Sequence, residues 1–96
     1  NKLATLFKVL GHPARIAILQ HIINKHSCIC NDLVEELGLA QATISQHLKE
    51  LKSIGILQGS IEGKSVCYCI DQNIWNTIEQ EMNYFFDQEV EIKSCC

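Results

Sequence analysis

The chain has 96 residues, 47% of them hydrophobic and 20% charged, with a single proline. One compact domain is expected, and a disordered, collagen-like or proline-rich chain is excluded. The net charge of −3 is unevenly spread: residues 1–70 carry seven basic and five acidic side chains, residues 71–96 one basic and six acidic. The first part is therefore mildly positive, and a nucleic-acid partner stays open for it.

No apolar run approaches the ~18 residues that span a bilayer. The first eight residues lack an uninterrupted apolar segment of the secretory type. A cytoplasmic chain with no membrane partner is expected.

Leu3, Leu6, Phe7 and Leu10 repeat at helical spacing, with Gly11 as the stop. Pro13 suits the first turn of a second helix whose apolar face is Ile16, Leu19, Ile22 and Ile23. Lys25-His26-Ser27 reads as a break. Asn31 and Asp32 can cap or charge a short third helix running to Leu37, which Gly38 ends. From Gln41 to Ile54 a fourth helix turns Ile44, Leu48, Leu51 and Ile54 inward, and Gly55 closes it.

Two β-rich runs follow, Ile56 to Ile61 and Ser65 to Ile70, joined by the turn Glu62-Gly63-Lys64. In the second run Val66, Tyr68 and Ile70 alternate with Ser65, Cys67 and Cys69, so the two sets face opposite sides. A last helix from about Asn73 aligns Ile74, Ile78, Met82 and Phe85, flanked by Trp75 and Phe86. The expected fold is α+β, mainly α, in the order α-α-α-α-β-β-α. The third and fourth helices (about 31–54) have the size of a helix-turn-helix, and the hairpin after them (about 56–70) is placed as a wing. A helix at about 73–89 and a tail at 90–96 complete the single domain.

The fourth helix exposes Gln41, Thr43, Ser45, Gln46 and Lys49 opposite its apolar stripe. These short or amide side chains reach base edges and phosphates without keeping a helix out of the major groove. A solvated helix face is the plain alternative; the short turn and the wing favour double-stranded DNA.

Six cysteines fall in three pairs: Cys28 with Cys30, Cys67 with Cys69, and Cys95 with Cys96. In a reducing compartment such pairs hold soft metals or sense redox state more often than they form structural disulfides.

Together these residues resemble a known family. Leu10-Gly11-His12-Pro13-Ala14-Arg15, the Cys28-Ile29-Cys30-Asn31-Asp32-Leu33 stretch, the segment from Gln41 to Leu51 and the wing from Glu62 to Tyr68 are similar to the ArsR/SmtB winged-helix repressors. The resemblance implies a homodimer that pairs through its first and last helices, binds a palindromic operator and is released by an inducer. By matching position, Gln41, Ser45 and Gln46 would touch bases, Thr43 a phosphate, and Lys64 the backbone or minor groove. Ala40 and Ala42 depart from the family's small hydroxyl residues, so the recognition helix should start less firmly. Residues 73–96 contain no histidine, so the family's zinc-type site on the last helix cannot be assembled.

The thiol-type site of the family uses a C-x-C at the third helix, which Cys28 and Cys30 match. Thiolates are soft ligands, and As(III) or Sb(III) would take three sulfurs. Two cysteines at i and i+2 diverge on an intact helix, so both bind one atom only if they precede the helix or unwind its first turn. The third sulfur is expected from the tail, Cys95 or Cys96, in preference to the wing, where Cys67 and Cys69 read as small apolar strand fillers. His12 is read as structural, His47 as a helix-packing or phosphate-side residue, and Arg15 as either a phosphate contact or a salt-bridge partner; His21 and His26, five residues apart, do not share one helix face as a metal pair would.

Three rivals stand beside this reading. The same repressor could answer to thiol oxidation or persulfide, or to soft Cd or Pb ions. A winged-helix interaction module would not touch DNA at all. An enzyme is disfavoured, because no C-x-x-C, glycine-rich phosphate loop or H-E-x-x-H occurs.

Overall fold

The structure, a computed structural model, describes residues 1–30, 33–60 and 67–91. Asn31 and Asp32, the turn with Lys64, and the tail cysteines Cys95 and Cys96 lie outside the described residues.

The described elements are α1 (Lys2–Leu10), α2 (Pro13–Lys25), β1 (Ile29–Cys30), α3 (Leu33–Leu37), α4 (Gln41–Ser53), β2 (Leu57–Ser60), β3 (Cys67–Ile70) and α5 (Gln72–Phe86). The expected order holds with one addition, the two-residue strand β1. It pairs antiparallel with β3, making a three-stranded sheet in the order β1-β3-β2. Registers are Cys30 opposite Cys67 and Ile29 opposite Tyr68, then Leu57 opposite Ile70 through Ser60 opposite Cys67.

Local chemistry explains most helix ends. The Asn1 carboxamide oxygen accepts from the Leu3 and Ala4 N–H groups and starts α1. Pro13 opens α2 behind His12, whose Nδ1 accepts from Ala14 N–H. Asp71 caps α5 by accepting from Asn73 and Ile74 N–H at 3.0 and 3.1 Å. Its own N–H donates to the Ile56 carbonyl, which ties the start of α5 to the sheet.

One core joins all the helices to the sheet. Ile18 and Leu51 are wholly buried, and Leu6, Leu19, Ile22, Ile29, Leu33, Ile44, Leu48, Ile56, Leu57, Tyr68 and Ile78 surround them. Two expected faces need correction. On α2 it is Ile18 that points inward, while Ile16 and Ile23 are exposed; on α5 Phe85 leaves the stripe and is exposed. The helical period is as expected but the buried face is rotated, because these helices have apolar residues on two sides. The second side gathers Phe7, Phe85 and Phe86 into an edge-to-face cluster with centroids 5.1–6.1 Å apart. Lys2 and Glu81 bridge the same two helices at 3.1 Å.

Candidate functional site

The polar face of α4 is built by the burial of its other side. Ile44, Leu48 and Leu51 enter the core, which leaves Gln41, Thr43, Gln46 and Lys49 exposed and Ser45 half-buried. Gln41 donates to the Ser45 hydroxyl at 3.3 Å and Gln46 to the Glu50 carboxylate at 3.5 Å, so the amides lie along the helix as i,i+4 pairs. The five residues expected on the reading face thus share one face. Lys64 lies outside the described residues.

Gly38, at φ +66°, makes the sharp step between α3 and α4; its N–H donates to the Val34 carbonyl. Ala40, before α4, makes no side-chain cap, as its missing hydroxyl predicts; a hydroxyl there would contribute about 1 kcal/mol. Lys52, farther along α4, donates to the Gly59 carbonyl at 2.7 Å and ties α4 to β2.

A second cluster fixes the tilt of α4. Arg15 Nε donates to His47 Nδ1 at 3.2 Å, and its Nη1 donates to the Val9 carbonyl at the end of α1. The His12 ring lies 4.4 Å from the His47 ring. Burial pushes the His47 pKa below the usual histidine value, and the nearby His12 and Arg15 add to this, with Glu50 opposing. Arg15 therefore holds three helices through a neutral imidazole and makes no described salt bridge.

The cysteines depart furthest from the sequence reading. The C-x-C stretch precedes α3, on and beside β1. Strand geometry puts i and i+2 on one face: Ile29 is buried, and Cys28 and Cys30 are exposed. The condition for two sulfurs to approach one atom is met without unwinding a helix.

Cys67 and Cys69 do not fill the core. Tyr68 does, while Cys67 is exposed and Cys69 half-buried. Cys67 sits opposite Cys30 at a Cα separation of 4.3 Å, and the two form a disulfide. Such a short separation marks a non-hydrogen-bonded position, where facing side chains come closest. Two residues along, the register sets Cys28 against Cys69. The neighbouring Cys69 thiol, followed by slight desolvation and mutual charge repulsion, holds the Cys28 pKa above the usual thiol value. Gln58 donates to the Cys69 sulfur at 3.9 Å from the other side.

All four sulfurs therefore lie along the outer face of the β1–β3 pair. With Cys30 and Cys67 joined, no group of three or more metal-ligating side chains stands together among the described residues. The matching period of two in both cysteine pairs was the available signal; the partnership of the two strands was not visible.

Comparisons with known proteins agree with this architecture. The profile of the bacterial regulatory protein arsR family matches residues 12–58. The chain is 36% identical over 81 residues to an uncharacterized HTH-type transcriptional regulator of Methanocaldococcus jannaschii, covering 82% of this chain and 90% of that one. It is 31% identical over 80 residues to the cadmium resistance transcriptional regulatory protein CadC of Listeria innocua, covering 81% and 66%. It is 29% identical over 83 residues to an arsenical resistance operon repressor of Staphylococcus xylosus, covering 86% and 79%. Among solved structures, reduced HlyU from Vibrio cholerae superposes with a TM-score of 0.64 at 25% identity, over 91% of this chain and 90% of that one. A five-helix winged fold, an outward polar face on α4 and these relatives lead to one conclusion: the chain belongs to the ArsR family of helix-turn-helix transcriptional regulators, which are not enzymes.

Proposed function

We propose that the chain acts as a homodimeric operator-binding repressor, released when As(III) or Sb(III) is captured by cysteine thiolates anchored by Cys28 and Cys30. In this reading Gln41, Ser45 and Gln46 contact bases, and Thr43, Lys49 and Lys64 contact the DNA backbone. The exposed aromatic cluster of Phe7, Phe85 and Phe86 supports pairing through α1 and α5. Among relatives, one is named for cadmium and one for arsenical resistance, so their names favour a thiophilic inducer without choosing the ion.

The carrying observation is the position of Cys28 and Cys30 on one exposed face, immediately before the helix-turn-helix. Ligation replaces each S–H by an As–S bond, with the proton leaving on an arsenite oxygen as water. Drawing both sulfurs to one atom moves β1, and with it α3, which packs on α4. Cys30 must first be freed: two equivalents of a small-molecule thiol supply two electrons and two protons and leave as their own disulfide, giving the Cys30 and Cys67 thiols. The remaining sulfur comes from Cys95 or Cys96, or from the wing cysteines now facing the site. Because coupling between sites is reciprocal, operator DNA must weaken metalloid affinity by the factor with which metalloid weakens operator affinity.

The test is operator binding of the reduced chain to its own upstream DNA, with and without arsenite. Binding should weaken steeply with salt, arsenite should release the DNA, and Cys28→Ser should abolish release but not binding. A dimer that stays bound with its thiols occupied by arsenite would end this reading.

The Cys30–Cys67 bond favours a second reading, in which closing that disulfide is itself the signal. Release by oxidant or persulfide, with no response of the reduced chain to arsenite, would select it.

A further inference from the structure

We infer that the cleft between α2 and α5 is a binding site for a small lipophilic cation, an amine or quaternary ammonium carried on an aromatic or branched alkyl body. The site uses no thiol and is independent of the arsenic reading above.

The cleft follows from two helical rows. On α2, Ile16, Gln20 and Ile23 stand at i, i+4 and i+7; on α5, Trp75, Glu79 and Met82 do the same. Side chains at that spacing share one helix face. The two rows border a common space of about 320 Å³, floored by the buried Leu19, Ile56 and Ile78. That volume lies at the lower end of the roughly 300–1,000 Å³ of small-molecule sites, which combine an apolar lining with a few polar groups. Ile16 and Ile23 are left 40% and 41% exposed at its rim, apolar surface that an occupant would remove from water. Met82 can adjust to the occupant's shape.

Charge selects the occupant. Glu79 is the one charged residue on the lining, and no basic side chain borders the cleft. Its neighbour Glu81 is bridged by Lys2, whereas Glu79 makes no ion pair among the described residues. Trp75 adds the aromatic ring to which cations are drawn most strongly. Residues 71–96 carry one basic and six acidic side chains, so the field around α5 attracts cations and repels anions. A neutral ligand would gain the apolar wall alone.

This face of α5 is distinct from the side that faces α1. Thr77, Gln80 and Tyr84 lie opposite the Trp75–Glu79–Met82 row and border a separate groove with Lys2 and Leu3. Pairing of two copies through α1 and the aromatic cluster would use that second side.

Trp75, the chain's one tryptophan, reports occupancy by its emission. The full reduced chain is titrated with three probes that share one apolar body: para-tert-butylbenzyltrimethylammonium, the neutral para-tert-butylbenzyl alcohol and the anionic para-tert-butylphenylacetate. The expected result is one cation per chain, bound about tenfold more tightly than the alcohol, with the anion weakest. The preference for the cation should shrink as salt rises. Glu79→Gln, at an exposed position, should weaken the cation by about threefold and leave the alcohol unchanged. Ile16→Ser/Ile23→Ser should weaken both by about tenfold. Gln80→Ala, on the opposite side, should change neither.

Equal affinity for the three probes would overturn the site, and that comparison needs no variant. So would a Glu79→Gln chain that keeps the full preference for the cation. If Ile16→Ser/Ile23→Ser instead separates two copies in sedimentation and leaves cation affinity untouched, the cleft is an interface between chains and the ligand site falls. Operator release by arsenite is a separate measurement, so either reading can fail while the other stands.

Discussion

The reading unit α3–α4 and the thiol seam β1–β3 sit side by side but are held by different physics. The reading unit is specified within 21 residues, Leu33 to Ser53, by an apolar stripe, a glycine with positive φ and a polar face left over when the stripe is buried. The seam joins residues about 37 positions apart through a two-residue strand that has no stability of its own. Ile29 and Tyr68, both buried beneath it, hold the strands in place, and the sulfurs above them follow from period-two geometry. The polar face of α4 is thus set by local sequence, whereas the grouping of the sulfurs is created by contact between distant segments.

That contrast can be broken most strongly from the core. Leu51 is wholly buried on the inner side of α4, so Leu51→Ala should lower unfolding free energy by about 4 kcal/mol through lost burial and a residual cavity. Denaturant titration measures this; a loss below about 1 kcal/mol would mean that α4 is not anchored as described.

The next effect concerns the seam alone. Opening the Cys30–Cys67 link, which closes a 37-residue separation, should lower stability by about 3.8 kcal/mol on the chain-entropy account. Denaturation midpoints with and without a thiol reductant measure it, with Cys30→Ser/Cys67→Ser as the control. An unchanged midpoint would show that the seam is not constrained by that bond.

The smallest effect sharpens the boundary between the regions. His47 favours its neutral form in the folded chain, so the unfolded chain takes up a proton first as pH falls. Its contribution is fully present above the unfolded value of about 6.5 and is lost as pH drops through the window below it. Protonation would also turn Nδ1 into a donor facing the Arg15 Nε–H. Stability measured between pH 7.5 and 5 should fall for the wild type and fall less for His47→Gln. Parallel curves would remove His47 from the account of how α4 is held.

Much of the fold was legible in advance, for reasons that particular residues make plain. Gly11, Pro13, Gly38 and Gly55 punctuate the helices, and Ile44, Leu48 and Leu51 repeat at 3.6 residues, so α4 and its polar face were readable directly. Asp71 as the cap of α5 was not singled out, although its carboxylate one residue before the helix is an ordinary start signal. The buried faces of α2 and α5 are not legible in the same way, because Ile16, Ile23 and Phe85 are as apolar as the residues that take the core positions. Arg15 and His47 lie 32 residues apart in sequence, and no periodicity connects them.

Sequence by itself determined the helical framework, the helix-turn-helix spacing, the residues offered on the reading face and the abundance of sulfur. These depend on interactions within a few residues, where spacing fixes geometry. Only the tertiary structure decided that Cys28 faces Cys69, that Cys30 meets Cys67, and that α2 and α5 enclose an apolar cleft. Strand partnership is a choice among distant segments, settled by which buried side chains, here Ile29 and Tyr68, fill the core together.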